Sequence, residues 1–160
     1  MNCLICSQKI VPAYGEGDML LVGEYPGTDE MAQGRPFVGQ AGRILEAELM
    51  RLGINMNRQC RLTNLWQHYK TKSPECFQHF VKDLTPEMAG RKVLLMGSDL
   101  SAYFLGEKIS DWSGLEVKSS LFPRSTQFVM MSQNPASCLH SPVGEFRLAL
   151  EKYVRRCKGE

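Results

Sequence analysis

The chain has 160 residues, which is enough to bury a full hydrophobic core without cross-links. Its 19 basic and 17 acidic residues nearly balance, which excludes the globally basic surface of a histone-like protein and makes any contact with nucleic acid local. No stretch reaches the roughly 18 apolar residues of a membrane span, and the N-terminus lacks the apolar core of a signal peptide. We therefore expect a cytoplasmic protein with a single domain over residues 1–160 and no membrane partner.

The first predicted unit is a strand, a loop and a helix. The sequence MLLVGE at residues 19–24 is apolar without helical spacing and is flanked by glycines, which predicts a buried strand. A loop at residues 25–39 follows, rich in Gly and Pro, with the carboxylate of Glu24 at its entrance. A helix is predicted over residues 40–51, because apolar side chains recur on one face until Gly53 ends it.

Three more strand and helix pairs follow. Their strands are predicted at residues 61–65, 92–96 and 127–132, and their helices from residue 74, over residues 98–105 and over residues 144–155. Pro74 suits the first turn of its helix, and Ser98 or Asp99 can cap the helix after the third strand. Residues 112–123 alternate weakly and predict a hairpin or a bulged excursion.

The recurrence of strand, loop and helix implies parallel strands with helices on both faces. The predicted fold is therefore α/β, a three-layer αβα sandwich around a central four-stranded, mainly parallel sheet. The strand ends at Glu24, Asn64, Gly97 and Asn134 then lie along one edge, where open sheets bind their ligands. Because most of these residues are polar, the sequence predicts a ligand site at this edge.

The longest motif is VGEYPGTDEMAQGRPFVGQAGRIL at residues 22–45. It resembles the first motif of the uracil-DNA glycosylase superfamily, closest to the iron–sulfur group called family 4, whose pattern runs roughly GE-x-PG and then GxPFVGxAGxLL. An N-terminal C-x-x-C, a strand ending in TN, a VLLxG strand and a last strand before a Pro-containing loop extend the resemblance over most of the chain. The resemblance implies a monomer that excises uracil from single- or double-stranded DNA in base excision repair.

The resemblance also assigns roles to individual residues. Glu24 is expected at the edge of the sugar, Phe37 stacked on the flipped uracil, and Asn64 at its Watson–Crick face. Asn134 is expected beside the glycosidic bond, where it acts with Glu24 in catalysis. The other expected substrate-binding residues are Gly23, Tyr25, Pro26, Gly27, Ser137 and His140, the last in a loop that related enzymes push into the minor groove.

These roles agree with the chemistry of the reaction. A base inside a duplex has to be extruded before its glycosidic bond can be reached. An Asn amide suits uracil, because it offers one acceptor for N3–H and one donor for O4. Bond breaking leaves positive charge on the sugar and negative charge on uracil O2, so a carboxylate and a hydrogen-bond donor are required there. Candidates for DNA phosphate contacts are Lys70, Lys72, Arg124, Arg155 and Arg156.

Two departures from the family pattern concern the substrate motifs. Asn134 stands where family 4 usually has His, which replaces a strong donor to the uracil anion by a neutral one, as in the mismatch-type members. Tyr25 stands where family 4 tends to have a small residue, and its ring could crowd the pocket or supply a hydroxyl for water. An alternative is therefore a glycosylase-fold module that binds DNA or a replication protein without chemistry. A third possibility is covalent capture of the abasic sugar by His68 or His140.

The third departure concerns the metal ligands. Nothing indicates secretion, so metal ligation or free thiols suit the six cysteines better than disulfides. Family 4 binds a 4Fe–4S cluster with four cysteines, to which Cys3, Cys6 and Cys76 correspond, but His68 takes the remaining position and Cys60 is a spare. Three thiolates and an imidazole can hold zinc, or a cluster with one unusual ligand. The resemblance favours the cluster, whereas ligand chemistry favours zinc. The sequence also allows a protein that binds neither.

Overall fold

The centre of the fold is a five-stranded sheet with the strand order β2-β1-β3-β5-β4. The strands are β1 (Met19–Gly23), β2 (Cys60–Asn64), β3 (Lys92–Met96), β4 (Glu116–Val117) and β5 (Phe128–Ser132). The computed structural model describes residues 1–107 and 112–160. The predicted parallel strands are confirmed to within one residue at either end. The sheet gains a fifth strand, because the excursion at residues 112–123 adds the antiparallel β4 at its edge.

Helices cover both faces of this sheet. They are α1 (Thr28–Gln33), α2 (Gln40–Arg51), α3 (Met56–Gln59), α4 (Pro74–Met88), α5 (Ser98–Leu105) and α6 (Gly144–Cys157), with a 3₁₀ helix at Pro135–Leu139. The sequence predicted α2, α4, α5 and α6. It missed α1, α3 and the 3₁₀ helix, because elements of one or two turns show too little apolar periodicity. The prediction of a continuous loop at residues 25–39 was therefore wrong.

The start of α5 also differs from the prediction. Gly97 is its N-cap, and the φ of +135° there is a backbone conformation that favours glycine. Ser98 and Asp99 already lie within the helix. A side chain from another strand replaces the expected local cap, because the carboxylate of Glu24 accepts the backbone N–H of Asp99 at 2.9 Å.

Two hydrophobic cores form, one on each face of the sheet. Alternate residues of a strand point to opposite faces, so Leu20 and Val22 enter the first core, whereas Met19 and Leu21 enter the second. The first core is completed by α4 and α5, and the second by α2 and α6. This arrangement confirms the three-layer sandwich. In the described part of the chain, the helices all fall short of the length and apolar content that a membrane crossing needs.

Candidate active site and metal-ligand group

A pocket of about 350 Å³ opens at the carboxyl edge of the parallel strands. Its walls come from the first-motif loop, the start of α2, the exit of β2 and the 3₁₀ helix after β5. The predicted substrate residues that line it are Gly23, Tyr25, Pro26, Gly27, Phe37, Asn64 and Asn134. Small-molecule pockets begin at about 300 Å³, so this pocket has room for a single base.

Close packing at the end of β1 places the aromatic ring and the amide side by side. Gly23 pairs with Asn64 in the sheet, and a Cβ at position 23 would lie 2.9 Å from Cζ of Phe37. Phe37 has a φ of +58°, which is uncommon for a residue with a side chain. A Cβ at Gly42 would overlap the backbone of Phe37. Glycine at both positions therefore lets the Phe37 segment approach the strand and the helix.

Glu30 holds the first-motif loop in this shape. Its Oε1 accepts the backbone N–H of Gly27 at 2.9 Å. Its Oε2 accepts the N–H groups of Val38 at 2.8 Å and of Gly39 at 2.6 Å, directly after Phe37. Glu30 was not among the residues predicted from the sequence, although an acidic residue three positions after a helix cap is a capping-box signal.

The two residues expected to act on the glycosidic bond are in direct contact. Oε1 of Glu24 accepts a hydrogen bond from Nδ2 of Asn134 at 2.9 Å, and Oε2 is the acceptor for Asp99. Oδ1 of Asn134 accepts the N–H of Ala136 at 2.9 Å, which fixes the direction of the amide. A Cβ at Gly97 would overlap the Glu24 carboxylate. Glu24 itself lies behind the pocket lining, in contact with it through Asn134.

Tyr25 lies at the mouth of the pocket. Its side chain is 50% exposed and belongs to the pocket wall. The pocket volume given above is therefore free with the phenol in place. The ring therefore leaves this volume open, and a role for its hydroxyl in holding water stays a prediction.

Ser137 and His140 are exposed and lie outside the pocket lining, whereas Ala136 and Leu139 of the same turn belong to it. A 3₁₀ helix repeats every three residues, so residues 136 and 139 share one face and residues 137 and 140 share the next. The three-residue period of a 3₁₀ helix is the sequence signal that would have selected Ala136 and Leu139.

The candidate phosphate contacts divide between the two edges of the sheet. Lys70 lies at the pocket edge, where its ammonium donates to Oδ2 of Asp99 at 2.8 Å and this hydrogen bond raises the pKa of Lys70. Arg155 and Arg156 lie near the end of α6, and the carbonyl of its last residue accepts a hydrogen bond from Lys92 at the start of β3. These two arginines are therefore at the edge opposite the pocket.

The structure brings the expected metal ligands together in a second site. The ligand atoms of Cys3, Cys6, His68 and Cys76 all lie within 4.8 Å of one another. Cys3, His68 and Cys76 are buried, and Cys6 is exposed. Cys60 is not part of this group: it lies in the second core, where burial raises the pKa of its thiol to about 12. The position of His68 in this group separates it from the pocket wall, so it does not serve as a nucleophile there.

Hydrogen bonds prepare two of these side chains for ligation. Nδ1 of His68 lies 2.8 Å from the carbonyl oxygen of Tyr69, which assigns the ring proton to Nδ1 and leaves the Nε2 lone pair facing Cys6. Burial disfavours the thiolate of Cys3, but hydrogen bonds from the backbone N–H groups of Cys6 and Ile5 outweigh it and lower the pKa to about 6. Burial instead raises the pKa of the Cys76 thiol, so of these two buried thiols only that of Cys3 is shifted towards the thiolate.

Comparison with known proteins agrees with the first-motif resemblance. The family described as "Uracil DNA glycosylase superfamily" matches residues 12–157. The chain is similar to the type-4 uracil-DNA glycosylase of Pyrobaculum aerophilum, with 28% identity over 87% of this chain and 80% of the relative. It is also similar to that of Sulfurisphaera tokodaii, with 24% identity over 91% of this chain and 70% of the relative. The resemblance to family 4 is confirmed, and the chain belongs to the uracil DNA glycosylase superfamily.

Proposed function

We propose that the protein is a monofunctional uracil-DNA glycosylase, which acts as a monomer and hydrolyses the N-glycosidic bond of flipped-out uracil in DNA. One observation carries the proposal: Phe37, Asn64 and Asn134 share one pocket, and Asn134 is hydrogen-bonded to Glu24. These residues come from three separate segments, the first motif, the end of β2 and the turn after β5, so a role in local turns does not explain why they converge. Relatives named type-4 uracil-DNA glycosylase support the same activity.

Phe37 and Asn64 recognise the base in this proposal. An extruded base loses its stacking in the duplex, and an aromatic ring in the pocket replaces part of it. Asn64 is only 6% exposed, so its amide has little contact with bulk water before the base arrives. Uracil can satisfy both ends of that amide, whereas cytosine presents an acceptor at N3 and a donor at C4 and reverses the pattern.

Asn134 and Glu24 act on the bond. An amide nitrogen has two hydrogens, and the contact with Glu24 uses one, so the second can donate to uracil O2 as it becomes negative. The hydrogen bond from Ala136 to Oδ1 keeps the amide from flipping its oxygen towards the leaving group. The negative charge of Glu24 stabilises the cationic sugar or positions the attacking water.

Glu24→Gln tests this mechanism. The variant keeps an acceptor for Asp99 but loses both the charge and the acceptor for Asn134, so we expect excision to slow by roughly 100-fold while DNA binding is retained. The assay incubates single- and double-stranded oligonucleotides containing uracil with the protein and counts alkali-labile sites, with binding measured in parallel. Glu16→Gln, at an exposed position before the first strand, is the matched control. Full activity of Glu24→Gln removes Glu24 from the mechanism.

A second candidate is a DNA-binding or protein-interaction module of the same fold without chemistry. The observation that favours it is the use of both Glu24 oxygens as acceptors, since a carboxylate that caps α5 and fixes Asn134 has a purely structural explanation. The same assay separates the two functions. Binding of uracil-containing DNA without any alkali-labile site, for the unaltered protein, favours the module.

A further inference from the structure

The metal-ligand group of Cys3, Cys6, His68 and Cys76 has the dimensions of a site for one ion. Metal–sulfur bonds of about 2.3 Å and metal–nitrogen bonds of about 2.0 Å place neighbouring ligand atoms of a tetrahedral zinc roughly 3.5–3.8 Å apart. In this structure Sγ of Cys3 lies 3.9 Å from Sγ of Cys76, and Sγ of Cys6 lies 3.3 Å from Nε2 of His68. These two spacings bracket the tetrahedral edge, and the remaining pairs lie within 4.8 Å.

A 4Fe–4S cluster does not fit the same positions. Each of its protein ligands binds a different iron and points outward from the cluster, so neighbouring ligand atoms lie at the corners of a large tetrahedron, roughly 6 Å apart. The four ligand atoms here all lie within 4.8 Å of one another. Every pair would have to move apart to admit the cluster.

The surroundings oppose such an expansion. His68 is 0% exposed. Its ring packs edge-on against Phe80, with the ring centroids 4.8 Å apart, and at a tilt against Trp66, with the centroids 5.9 Å apart. Cys76 lies in the first turn of α4, where its backbone N–H is held by the hydroxyl of Ser73 at 3.1 Å. Displacing either ligand by about 2 Å would disturb the first core, which is packed as densely as a crystal.

The N-terminal segment has the form of a metal-binding turn. The N–H of Ser7 donates to the carbonyl of Cys3 at 2.9 Å, and Ser7 has a φ of +65°. An antiparallel bridge between Asn2 and Lys9 closes the turn at its base. Cys3 and Cys6 thus project from one tight loop towards the buried His68 and Cys76.

We propose that Cys3, Cys6, His68 and Cys76 hold a single Zn²⁺ ion, in place of the iron–sulfur cluster that the family resemblance implies. Three thiolates and a neutral imidazole are a common donor set for a closed structural zinc site. Such an ion has no open position for water or substrate, so its role is to fasten the N-terminal turn to the exit of β2 and to α4. The proposal does not depend on whether the pocket is catalytic.

The test measures metal content and absorption of the full chain, and does not use glycosylase activity. The protein is produced with iron and zinc both supplied, purified without oxygen, and analysed for zinc, iron and acid-labile sulfide. We expect a colourless protein with about one zinc per chain. A brown protein with iron and sulfide in equal amounts overturns the proposal, as does a protein that binds neither metal.

Variants and a substitute ion locate the site. Cys6→Ser changes the exposed ligand, which limits its effect on folding, and is expected to lower the zinc content sharply. Cys138→Ser, at a cysteine outside the group, is expected to keep full zinc. Co²⁺ added to the metal-free protein should give the strong visible absorption of tetrahedral cobalt with thiolate ligands. An unchanged cobalt spectrum in Cys6→Ser overturns the assignment even if that variant is less stable.

Discussion

At the scale of single residues, the shape of the pocket depends on Glu30, which lines it and holds the loop around Phe37. A carboxylate that accepts three backbone N–H groups replaces the regular pairing that the loop lacks. Hydrogen bonds to charged groups contribute about 1.5–3 kcal/mol each when they are shielded from water. Glu30 lies at a partly exposed position, so the lower part of that range applies here.

Glu30→Gln is therefore expected to loosen the loop at Phe37. The amide keeps one acceptor oxygen, so the variant should lose about 1 kcal/mol of unfolding free energy. Because the loop carries Phe37, which is proposed to stack on the base, KM for a uracil-containing oligonucleotide should rise more than kcat falls, and the pH profile of kcat should not move. Gln33→Ala, at the exposed end of α1, is the control. A fall in kcat at unchanged KM would contradict the positioning role.

Gly23 is the second residue on which the pocket depends. A methyl group there meets the Phe37 ring at less than the usual contact distance and crowds the amide of Asn64, and overpacking of this kind costs about 1–3 kcal/mol. Gly23→Ala is expected to lower stability in urea denaturation and to remove most uracil excision. Gly144→Ala is the control, since no atom lies within 4 Å of a Cβ at that position and its φ is negative or extended. Equal activity of both variants would contradict the packing argument.

The sequence predicted the contacting residues of the pocket better than the residues that support them. Phe37, Asn64 and Asn134 were predictable because the motif and the strand ends identify them. For Glu30, the capping-box spacing could indicate only the contact with Gly27, because the contacts with Val38 and Gly39 depend on a loop path that no local pattern reveals. The capping of α5 by Glu24 was not predictable for the same reason, since it joins residues 75 positions apart.

At the scale of elements, an ion pair joins α2 and α6, the two helices that complete the second core. Nε and Nη2 of Arg147 donate to the two oxygens of Glu48, each at 2.8 Å. The hydrogen bond from Arg147 is the main reason why the pKa of Glu48 lies below its ordinary value of 4.5. A lowered folded-state pKa means that the unfolded chain binds protons more readily, so acid favours unfolding.

The contribution of Glu48 to stability is thus complete above the unfolded pKa near 4.5 and is lost as the pH falls through the lower folded pKa. Glu48→Gln is expected to reduce the unfolding free energy at neutral pH and to flatten its decline in acid. Thermal unfolding across pH 3 to 7 measures both effects. Glu151→Gln, which removes a 3.9 Å ion pair with Arg155 on the surface of α6, should leave the decline of stability in acid unchanged. An equally steep decline in both variants would contradict the assignment to Glu48.

At the scale of the whole molecule, the strand positions were predictable because buried parallel strands are short apolar runs bounded by glycine or polar residues. Their order in the sheet was not, because it depends on which faces the crossing helices cover. The shared edge still followed from parallel pairing alone, which is why Glu24, Asn64 and Asn134 could be expected to converge. The metal-ligand group joins residues 73 positions apart, and only the family resemblance linked Cys3 with Cys76 before the fold was known.

The metal-ligand group ties the N-terminal segment to the strand that carries Asn64. Beyond the ligands, the N–H of Val11 donates to the carbonyl of Gln67 at 2.7 Å, and Tyr14 bridges to Leu62 of β2. Asn64, whose amide is proposed to read the base, lies four positions before His68, on the same stretch of chain. Loss of the ion should therefore loosen both the N-terminus and the pocket wall.

Removal of the metal by a chelator is expected to lower Tm by at least about 5 °C, because 1 kcal/mol corresponds to about 2–4 °C in a domain of this size and structural ions bind far more strongly than that. We expect the affinity for the oligonucleotide to fall before kcat does, because Asn64 lies in the pocket wall and Glu24 does not contact the metal-ligand group. Readdition of Zn²⁺ should restore both quantities, and Cys138→Ser should respond as the unaltered protein does. A Tm that is insensitive to chelation, in protein shown to have lost its metal, would mean that the N-terminal turn is held by its hydrogen bonds alone.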